Sequence, residues 1–140
     1  MANEATLTGM HLFVRDVSAS VAFYERIGLE FSSPSEHFAR AGGDGGVSLA
    51  IGSYALTRGY DPGFREPAGS GSVALQLSLP SREAVDRLHA EVTSEGVPSH
   101  LAPFDAFWGS RYMEVLDPDG NVVGFHSPRD EGMISAPPVG

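Results

Sequence analysis

The sequence contains no cysteine and no lysine, and these two absences remove whole classes of chemistry. Without cysteine there are no disulfides, no thiolate nucleophiles and no cysteine metal ligands, which suits a reducing compartment. All nine basic residues are arginine, so Schiff-base catalysis and the lysine of a phosphate-binding loop are excluded. Whatever the protein does, it does with other side chains.

Positive charge is also scarce. Nine basic against eighteen acidic residues give a formal net charge of −9, which argues against binding to phosphate backbones. A cationic or neutral ligand fits this field, although an acidic surface also serves solubility alone. No apolar run approaches the roughly 18 residues of a membrane span, and the first residues do not resemble a signal peptide. We therefore predict a cytoplasmic protein with neither a nucleic-acid nor a membrane partner.

The first half of the chain predicts a strand, a helix and three further strands. Residues 10–14 alternate in the manner of a strand. A helix follows, with Asp16 and Ser18 as candidate N-caps and Gly28 as a left-handed C-cap. The three strands are expected near residues 29–32, 36–41 and 47–53, the last two separated by a glycine-rich turn.

The same order recurs about 65 residues later, as in a structural repeat. Residues 73–79 alternate, and Pro80 and Ser81 open a helix that Gly96 ends. Further strands are expected at 97–101, 111–117 and 121–127, the last two joined by a tight turn over Asp117–Asn121.

Each half thus predicts a β-α-β-β-β order, and the fold class is α+β with two βαβββ modules. We expect a single domain over residues 1–140. Its predicted parts are module one over about residues 9–54, a Gly- and Pro-rich linker over about 55–71, module two over about 72–128, and a mobile tail over 129–140.

Four motifs point to a known group: Leu12–Asp16, Val21–Glu25 followed by Gly28-Leu29, Arg111-Tyr112, and Asp117–Asn121. Together they resemble the vicinal oxygen chelate superfamily, which includes glyoxalase I, extradiol dioxygenases, fosfomycin resistance enzymes and bleomycin resistance proteins. The resemblance covers about residues 9–128. It implies paired modules whose curved mixed sheets enclose a cleft, commonly in a homodimer. Because this fold hosts both enzymes and binding proteins, it leaves the activity open.

The resemblance also implies four positions for the ligands of a divalent metal. In this sequence they fall on Gly9, within Ser48-Leu49-Ala50, on Ser72 and on Gly124, and none of these is a usual metal ligand. We therefore predict no metal and no other cofactor, and we expect the small residues to enlarge the cleft. An alternative is a displaced two-His, one-carboxylate set made of His11, Glu114 and His126. Otherwise His11 and His126 are polar residues that hydrogen-bond a ligand or the backbone.

Aromatic residues concentrate in and beside the segments expected to border the cleft: Phe38, Tyr54, Tyr60, Phe64, Phe104, Phe107, Trp108 and Tyr112. Such a concentration suits a stacking platform for a flat ligand. Trp108, in the loop before the seventh strand, is the strongest candidate, although it could instead fill a dimer interface or cap the core. Arg111 is a candidate partner for a ligand carbonyl or carboxylate, with a structural ion pair as the alternative.

A second set of residues comprises Tyr60–Pro62, Pro67, Gly69, His100-Leu101, Pro103, Trp108-Gly109, Arg111-Tyr112 and Asp117–Val123. It is similar to mitomycin-binding and related antibiotic-sequestering members of the superfamily, which hold a drug between aromatic side chains without modifying it. One departure is Gly124, which stands where relatives often keep an acidic residue.

The leading hypothesis is a metal-independent homodimer that sequesters a polycyclic aromatic DNA-damaging antibiotic of mitomycin, bleomycin or enediyne type and confers self-resistance, with no catalytic residue. Its predicted ligand-binding residues are His11, Phe38, Tyr54, Phe104, Trp108, Arg111 and Tyr112. The alternative is a superfamily enzyme that acts on a natural-product intermediate with His11, His126 or Glu114 as acid or base. A third possibility is a small-metabolite sensor or accessory protein.

Overall fold

The computed structural model describes residues 4–68 and 73–138. The chain divides into two compact units, with the boundary between residues 68 and 69. Each unit contains one four-stranded mixed sheet. Within the described residues, no helix is both long and apolar enough to cross a membrane.

The first unit follows the predicted order closely. Its elements are β1 (Gly9–Val14), α1 (Val17–Arg26), β2 (Phe31–Ser32), β3 (Phe38–Gly42), β4 (Ser48–Ser53) and α2 (Tyr54–Tyr60). The strand order is β1-β4-β3-β2, with β1 parallel to β4 and the other pairs antiparallel. Helix α1 buries Val17, Val21 and Tyr24, spaced as one helical stripe, on the side of the sheet where Val14 and Ile51 are fully buried.

Helix α2 is a correction to the sequence interpretation, which placed residues 55–71 in a linker. The Ser53 hydroxyl caps the helix by accepting a hydrogen bond from the Leu56 amide at 3.0 Å. The hydroxyl of buried Thr57 donates to the Ser53 carbonyl at 3.0 Å. Seven residues are too few to display a helical period, so only the cap and the tertiary burial of Tyr54 and Thr57 define this helix.

The second unit repeats the order with longer elements. These are β5 (Ala74–Ser78), α3 (Arg82–Ser94), β6 (Ser99–Asp105), β7 (Arg111–Leu116), β8 (Val122–His126) and a 3-10 turn (Glu131–Met133). The strand order is β5-β8-β7-β6, with β5 parallel to β8. The predicted α+β class and the repeated β-α-β-β-β order are therefore confirmed. The cleft and the single-domain boundaries stay predictions.

The two long helices end in the same way, which supports the repeat at the level of the backbone. After α1, Gly28 has a φ of 112° and the Leu29 amide reaches back to the Tyr24 carbonyl at 2.9 Å. After α3, Gly96 has a φ of 96° and the Val97 amide reaches the Val92 carbonyl at 3.0 Å. Both are Schellman caps, in which a left-handed residue lets the chain reverse. The sequence predicted Gly28 as a left-handed C-cap and Gly96 as the end of its helix.

Strand β6 runs further than the sequence indicates. It extends to Asp105, beyond the predicted end at residue 101, so Phe104 lies in a strand and not in a loop. The pairing of β6 with β7 shifts register between Ser99 and Leu101 and again between Leu101 and Phe104. Pro103 falls within the second shift, and β6 is an edge strand, the position in which a sheet tolerates proline.

The segment after β8 is also a correction, because residues 129–140 were expected to form a mobile tail. The Asp130 amide donates to the Gly109 carbonyl at 2.9 Å, and the Ser135 amide donates to the Phe107 carbonyl at 2.8 Å. Residues 130–135 are therefore fixed to the turn between β6 and β7. Sequence periodicity does not reveal such a segment, because it is held by backbone bonds to a distant turn.

Candidate functional site

Strand alternation gives the second sheet one face covered by α3 and one that carries polar and aromatic side chains. Leu75, Met113, Val115, Val123 and Phe125 are buried on the α3 side. Their neighbours in the same strands point the other way, and we call this surface the Tyr112 face. Its residues are Gln76, Ser78, Phe104, Tyr112, Glu114, Gly124 and His126.

A hydrogen-bonded row occupies the centre of the Tyr112 face. The Gln76 Nε2 donates to the Tyr112 hydroxyl at 2.9 Å, and that hydroxyl donates to Glu114 Oε2 at 2.7 Å. The Nε2 of His100 lies 3.8 Å from the other carboxylate oxygen of Glu114. Burial and the bond to Glu114 raise the pKa of Tyr112 to about 12, so the phenol is a neutral donor at physiological pH.

The phenol of Tyr112 fills the space above Gly124. A Cβ built on Gly124 would contact the Tyr112 hydroxyl oxygen and its ring carbons at less than van der Waals distance. The expectation that Gly124 enlarges a cavity is therefore wrong, because a ring from the neighbouring strand takes up the room. The same holds at Gly9, where an added Cβ would lie 2.6 Å from the Ser48 hydroxyl. Ser72 lies outside the described residues.

Beside this row lies a pocket of about 400 Å³, which we call the Trp108 pocket. Its lining residues are Gln76, Ser78, Trp108, Ser110, His126, Ser127, Pro128 and Arg129. The indole of Trp108 is half-buried and supplies the aromatic part of the wall. An amide, hydroxyls, an imidazole and a guanidinium supply polar groups around it. Such a mixture suits a ligand with a flat apolar body and a polar edge.

The turn over residues 106–110, the Trp108 turn, is held from several directions. The Trp108 ring lies 5.1 Å from that of Tyr112 and 5.2 Å from that of Phe107, edge to face in both cases. Arg82 on α3 donates to the Gly109 carbonyl at 3.1 Å. Phe104 lies 6.0 Å from Tyr112. Three predicted site residues, Phe104, Trp108 and Tyr112, are thus brought together in this unit.

Arg111 lies on the opposite face of the sheet from Tyr112. Its Nε donates to Asp86 on α3 at 2.9 Å, and another guanidinium nitrogen lies 3.3 Å from Asp105. These bonds, led by that to Asp86, raise the pKa of Arg111. Because adjacent residues of a strand point to opposite faces, Arg111 and Tyr112 do not line one surface. In the structure Arg111 forms ion pairs with Asp86 and Asp105, and its predicted contact with a ligand stays a prediction.

The first unit carries a second surface, the His11 face, made of Gly9, His11, Phe13, Phe38, Arg40, Ser48, Ala50 and Gly52. The His11 ring stacks on Phe13 at 4.6 Å and meets the edge of Phe38 at 6.4 Å. It lies directly over Gly52. Burial and the nearby Arg40 guanidinium lower the pKa of His11 from 6.5, so its imidazole is neutral at physiological pH.

Tyr54 does not offer a free ring face. It is 7% exposed at the start of α2, and its ring lies 5.6 Å from that of Phe64. Phe64 in turn lies 5.7 Å from Phe13. Tyr54 therefore packs in a row of aromatic rings with Phe64 and Phe13. Its predicted contact with a ligand stays a prediction.

Sequence reasoning missed six pocket residues: Gln76, Ser78, Ser110, Ser127, Pro128 and Arg129. Gln76 and Ser78 occupy the polar positions of an alternating strand, and that alternation was the available signal. The sequence does not show that β5 pairs with β8, which places Gln76 beside Gly124 and Ser78 beside His126.

Two of the implied metal positions, Gly9 and Gly124, do not fit a divalent ion. Gly9 and Gly124 have no side-chain donor, and the space above each is taken by a neighbour. Glu114, the nearest carboxylate on the Tyr112 face, accepts the Tyr112 hydroxyl. Across residues 4–68 and 73–138, no group of three or more His, Asp or Glu side chains could hold a metal ion together. The displaced set of His11, Glu114 and His126 combines one residue of the first unit with two of the second, and it stays a prediction.

Two βαβββ units with four-stranded mixed sheets define a paired-module α+β protein, and comparison with known proteins gives its family. A family model described as the Glyoxalase/Bleomycin resistance protein/Dioxygenase superfamily matches residues 6–125. The chain therefore belongs to this superfamily, as its motifs predicted.

Solved structures agree with this fold. A glyoxalase/bleomycin resistance protein/dioxygenase from Nocardioides is 25% identical, with a TM-score of 0.75 over 100% of this chain and 93% of that one. A glyoxalase/bleomycin resistance protein/dioxygenase family enzyme from Burkholderia phytofirmans PsJN is 24% identical. The match has a TM-score of 0.77 and covers 88% of this chain and 98% of that chain. A lactoylglutathione lyase from Agrobacterium tumefaciens is 20% identical. The match has a TM-score of 0.67 and covers 90% of this chain and 96% of that chain. No curated protein matches the chain significantly.

Proposed function

We propose that this protein binds and sequesters a planar, polycyclic aromatic antibiotic of the mitomycin, bleomycin or enediyne type, without a metal, and thereby confers self-resistance. The observation that carries the proposal is the position of Trp108 at the wall of a pocket of about 400 Å³. A cavity of this size accommodates a drug-sized ligand. The indole provides a stacking surface for its flat body.

The Trp108 pocket is well prepared for such a ligand. Contacts with Phe107 and Tyr112 and the bond from Arg82 to Gly109 hold the indole in place before a ligand arrives. A wall that is already ordered loses little conformational entropy on binding, which favours affinity. The side chains of Gln76, Ser78 and His126 then meet the polar edge of the ligand.

The proposal includes a cytoplasmic homodimer. It keeps Phe104 and Tyr112 as residues that support the Trp108 wall in the second unit. The ligand contacts predicted for His11 and Phe38, which lie on the His11 face of the first unit, stay predictions. Light scattering of the purified protein tests the dimer, since a particle of about twice the 14.8 kDa chain mass is expected.

A second candidate function is supported by His126. Its Nδ1 lies 3.4 Å from the Ser127 carbonyl oxygen, and a hydrogen on Nδ1 leaves Nε2 as an acceptor. An imidazole with an accepting Nε2 in a pocket is a potential general base, and this geometry is the observation behind the alternative of an enzyme acting on a natural-product intermediate. Under this alternative, replacing His126 with Gln abolishes turnover while the substrate still binds.

Calorimetric titration of the wild-type protein with a mitomycin, a bleomycin and a hydroxyanthraquinone tests the leading proposal. We expect at least one of these compounds to bind, and Trp108→Leu to weaken that binding about tenfold or more, because the stacking surface is lost. Phe23→Leu is the matched control. Phe23 lies on α1 in the first unit and does not line the Trp108 pocket, and we expect a change below about threefold.

Recovery of the bound compound separates the two candidate functions. After denaturation, mass spectrometry should return the compound unchanged if the protein sequesters it, whereas steady conversion indicates the enzyme. Equal affinity of wild type and Trp108→Leu, with both proteins folded, contradicts the role given to Trp108.

A further inference from the structure

The row Gln76–Tyr112–Glu114 has a fixed direction of hydrogen bonding. A carboxylate has no hydrogen to give, so at Glu114 it only accepts. The Tyr112 hydroxyl carries a single hydrogen, and at 2.7 Å from Oε2 that hydrogen is committed to Glu114. The hydroxyl oxygen is therefore left only as an acceptor towards Gln76.

This direction orients the amide of Gln76. A donor must face the Tyr112 oxygen, and Nε2 does so at 2.9 Å. If the amide turned over, its carbonyl oxygen would face a hydroxyl oxygen whose only hydrogen is already used, and two acceptors would meet. Both amide hydrogens lie on the nitrogen that faces Tyr112. The opposite end of the amide, in a residue that lines the Trp108 pocket, is the carbonyl oxygen.

The phenol that transmits this direction is itself firmly held. Tyr112 is 5% exposed and its ring is confined between Gly124 below and the Trp108 ring beside it. Glu114 is 15% exposed, and the His100 imidazole lies near its second oxygen, so the carboxylate is also held in position. The row therefore acts as a rigid support for Gln76, which itself remains accessible.

We propose that Gln76 determines ligand specificity in the Trp108 pocket, and that Glu114, acting through Tyr112, positions the Gln76 amide so that its carbonyl oxygen accepts a hydrogen bond from the ligand. The inference rests on the proposed function and narrows its ligand class. The preferred ligand is a planar aromatic compound with an amino or hydroxyl donor at the edge of its ring system. Gln76 is the contacting residue, and Tyr112 and Glu114 are positioning residues.

Two matched probes test this inference by calorimetry. One is an anthraquinone with a free amino group at the β position of a terminal ring, and the other is its dimethylamino counterpart, which has no donor. We expect the wild-type protein to bind the amino compound about tenfold more tightly, because only that compound satisfies the Gln76 carbonyl. The affinity ratio between the two probes is the readout, so effects common to both compounds cancel.

Variants separate the contact from its positioning. In Gln76→Met the acceptor is gone, and the ratio should fall to about one. In Glu114→Gln the new amide can donate to the Tyr112 oxygen, which frees the Tyr112 hydrogen to turn towards Gln76, and the ratio should fall below about threefold. Tyr112→Phe removes the hydroxyl that orients the Gln76 amide, so the ratio should fall in this variant as well. It serves in place of Glu114→Gln if the Glu114→Gln protein does not fold. Glu83→Gln, an exposed change on α3, is the matched control and keeps the wild-type ratio.

The outcomes are distinguishable from failure of the proposed function. If the wild-type protein binds both probes equally, Gln76 does not select donors and the inference is overturned, while stacking against Trp108 stands. If Glu114→Gln and Tyr112→Phe both keep the wild-type ratio, the positioning role is overturned. If neither probe nor any of the antibiotics binds, the proposed function itself fails.

Discussion

At the scale of single residues, Gly124 shows that a position without a side chain can be required by the packing of a neighbour. Its missing side chain makes room for the phenol of Tyr112, whose hydroxyl supplies a polar group at that place from the next strand. The sequence shows that a ligand side chain is absent at residue 124. It does not show which neighbour replaces it, because that depends on a pairing between strands.

The Gly124→Ala substitution tests this packing. The added methyl group collides with the Tyr112 phenol and pushes it off its bonds to Gln76 and Glu114, so we expect the free energy of unfolding to fall by about 1–3 kcal/mol. Urea unfolding measures the loss. Gly46→Ala is the control, since a Cβ there meets open space and the backbone is not left-handed. Equal stability of the two variants would show that the phenol has room to move.

His11 gives a pH-dependent stability with a defined sign. Burial and Arg40 lower its folded-state pKa below the ordinary 6.5, so the unfolded chain binds a proton first as the pH falls. Above 6.5 both states are neutral and the effect vanishes. Below it, the wild-type protein should lose stability relative to His11→Gln as the pH drops through the lowered pKa. Urea unfolding of both proteins between about pH 7.5 and 5 measures this difference, and a constant difference refutes the assignment.

At the scale of elements, the sequence predicts best what is specified locally. The Asp16 and Ser81 caps, the two Schellman glycines and the Asp117 turn each act within a few residues, and all are found in the structure. Helix α2 and the last four residues of β6 were missed. Helix α2 depends on the tertiary burial of Tyr54 and Thr57, and the end of β6 depends on its pairing with β7 across two register shifts. Periodicity encodes neither of these.

The segment after β8 is another feature that periodicity does not predict, and truncation of the chain tests what it contributes. A chain ending at Pro128 loses the bonds from Asp130 and Ser135 to the Trp108 turn, and the free energy of unfolding should fall by about 2 kcal/mol. The fluorescence of Trp108, the single tryptophan, should shift to the red as the indole gains water. A chain ending at Ser135 keeps both bonds and serves as the control. Identical emission from the two truncated chains contradicts the proposed support.

At the scale of the whole molecule, one topology carries two different surfaces. In each sheet a ring from one strand lies over a glycine of its neighbour: His11 over Gly52 in the first, Tyr112 over Gly124 in the second. The first ring has a lowered pKa and the second a raised one, so both are uncharged near neutral pH. The repeat was predictable from the order of elements. The divergence of the two faces was not, because it depends on which side chains adjacent strands place opposite one another.

The uncharged state of these two rings helps to interpret the net charge of −9, whose role the sequence leaves open. Acidic side chains such as Glu83, Asp86 and Glu91 lie exposed on α3, away from the Tyr112 face, and Glu114 is paired within its row. Charge in such exposed positions acts on solubility and on the approach of charged molecules. The centre of the candidate site is set by an indole, a neutral phenol and an oriented amide. Under the proposed function, selection there depends on ring shape and on the direction of one hydrogen bond, and a neutral planar ligand would satisfy both.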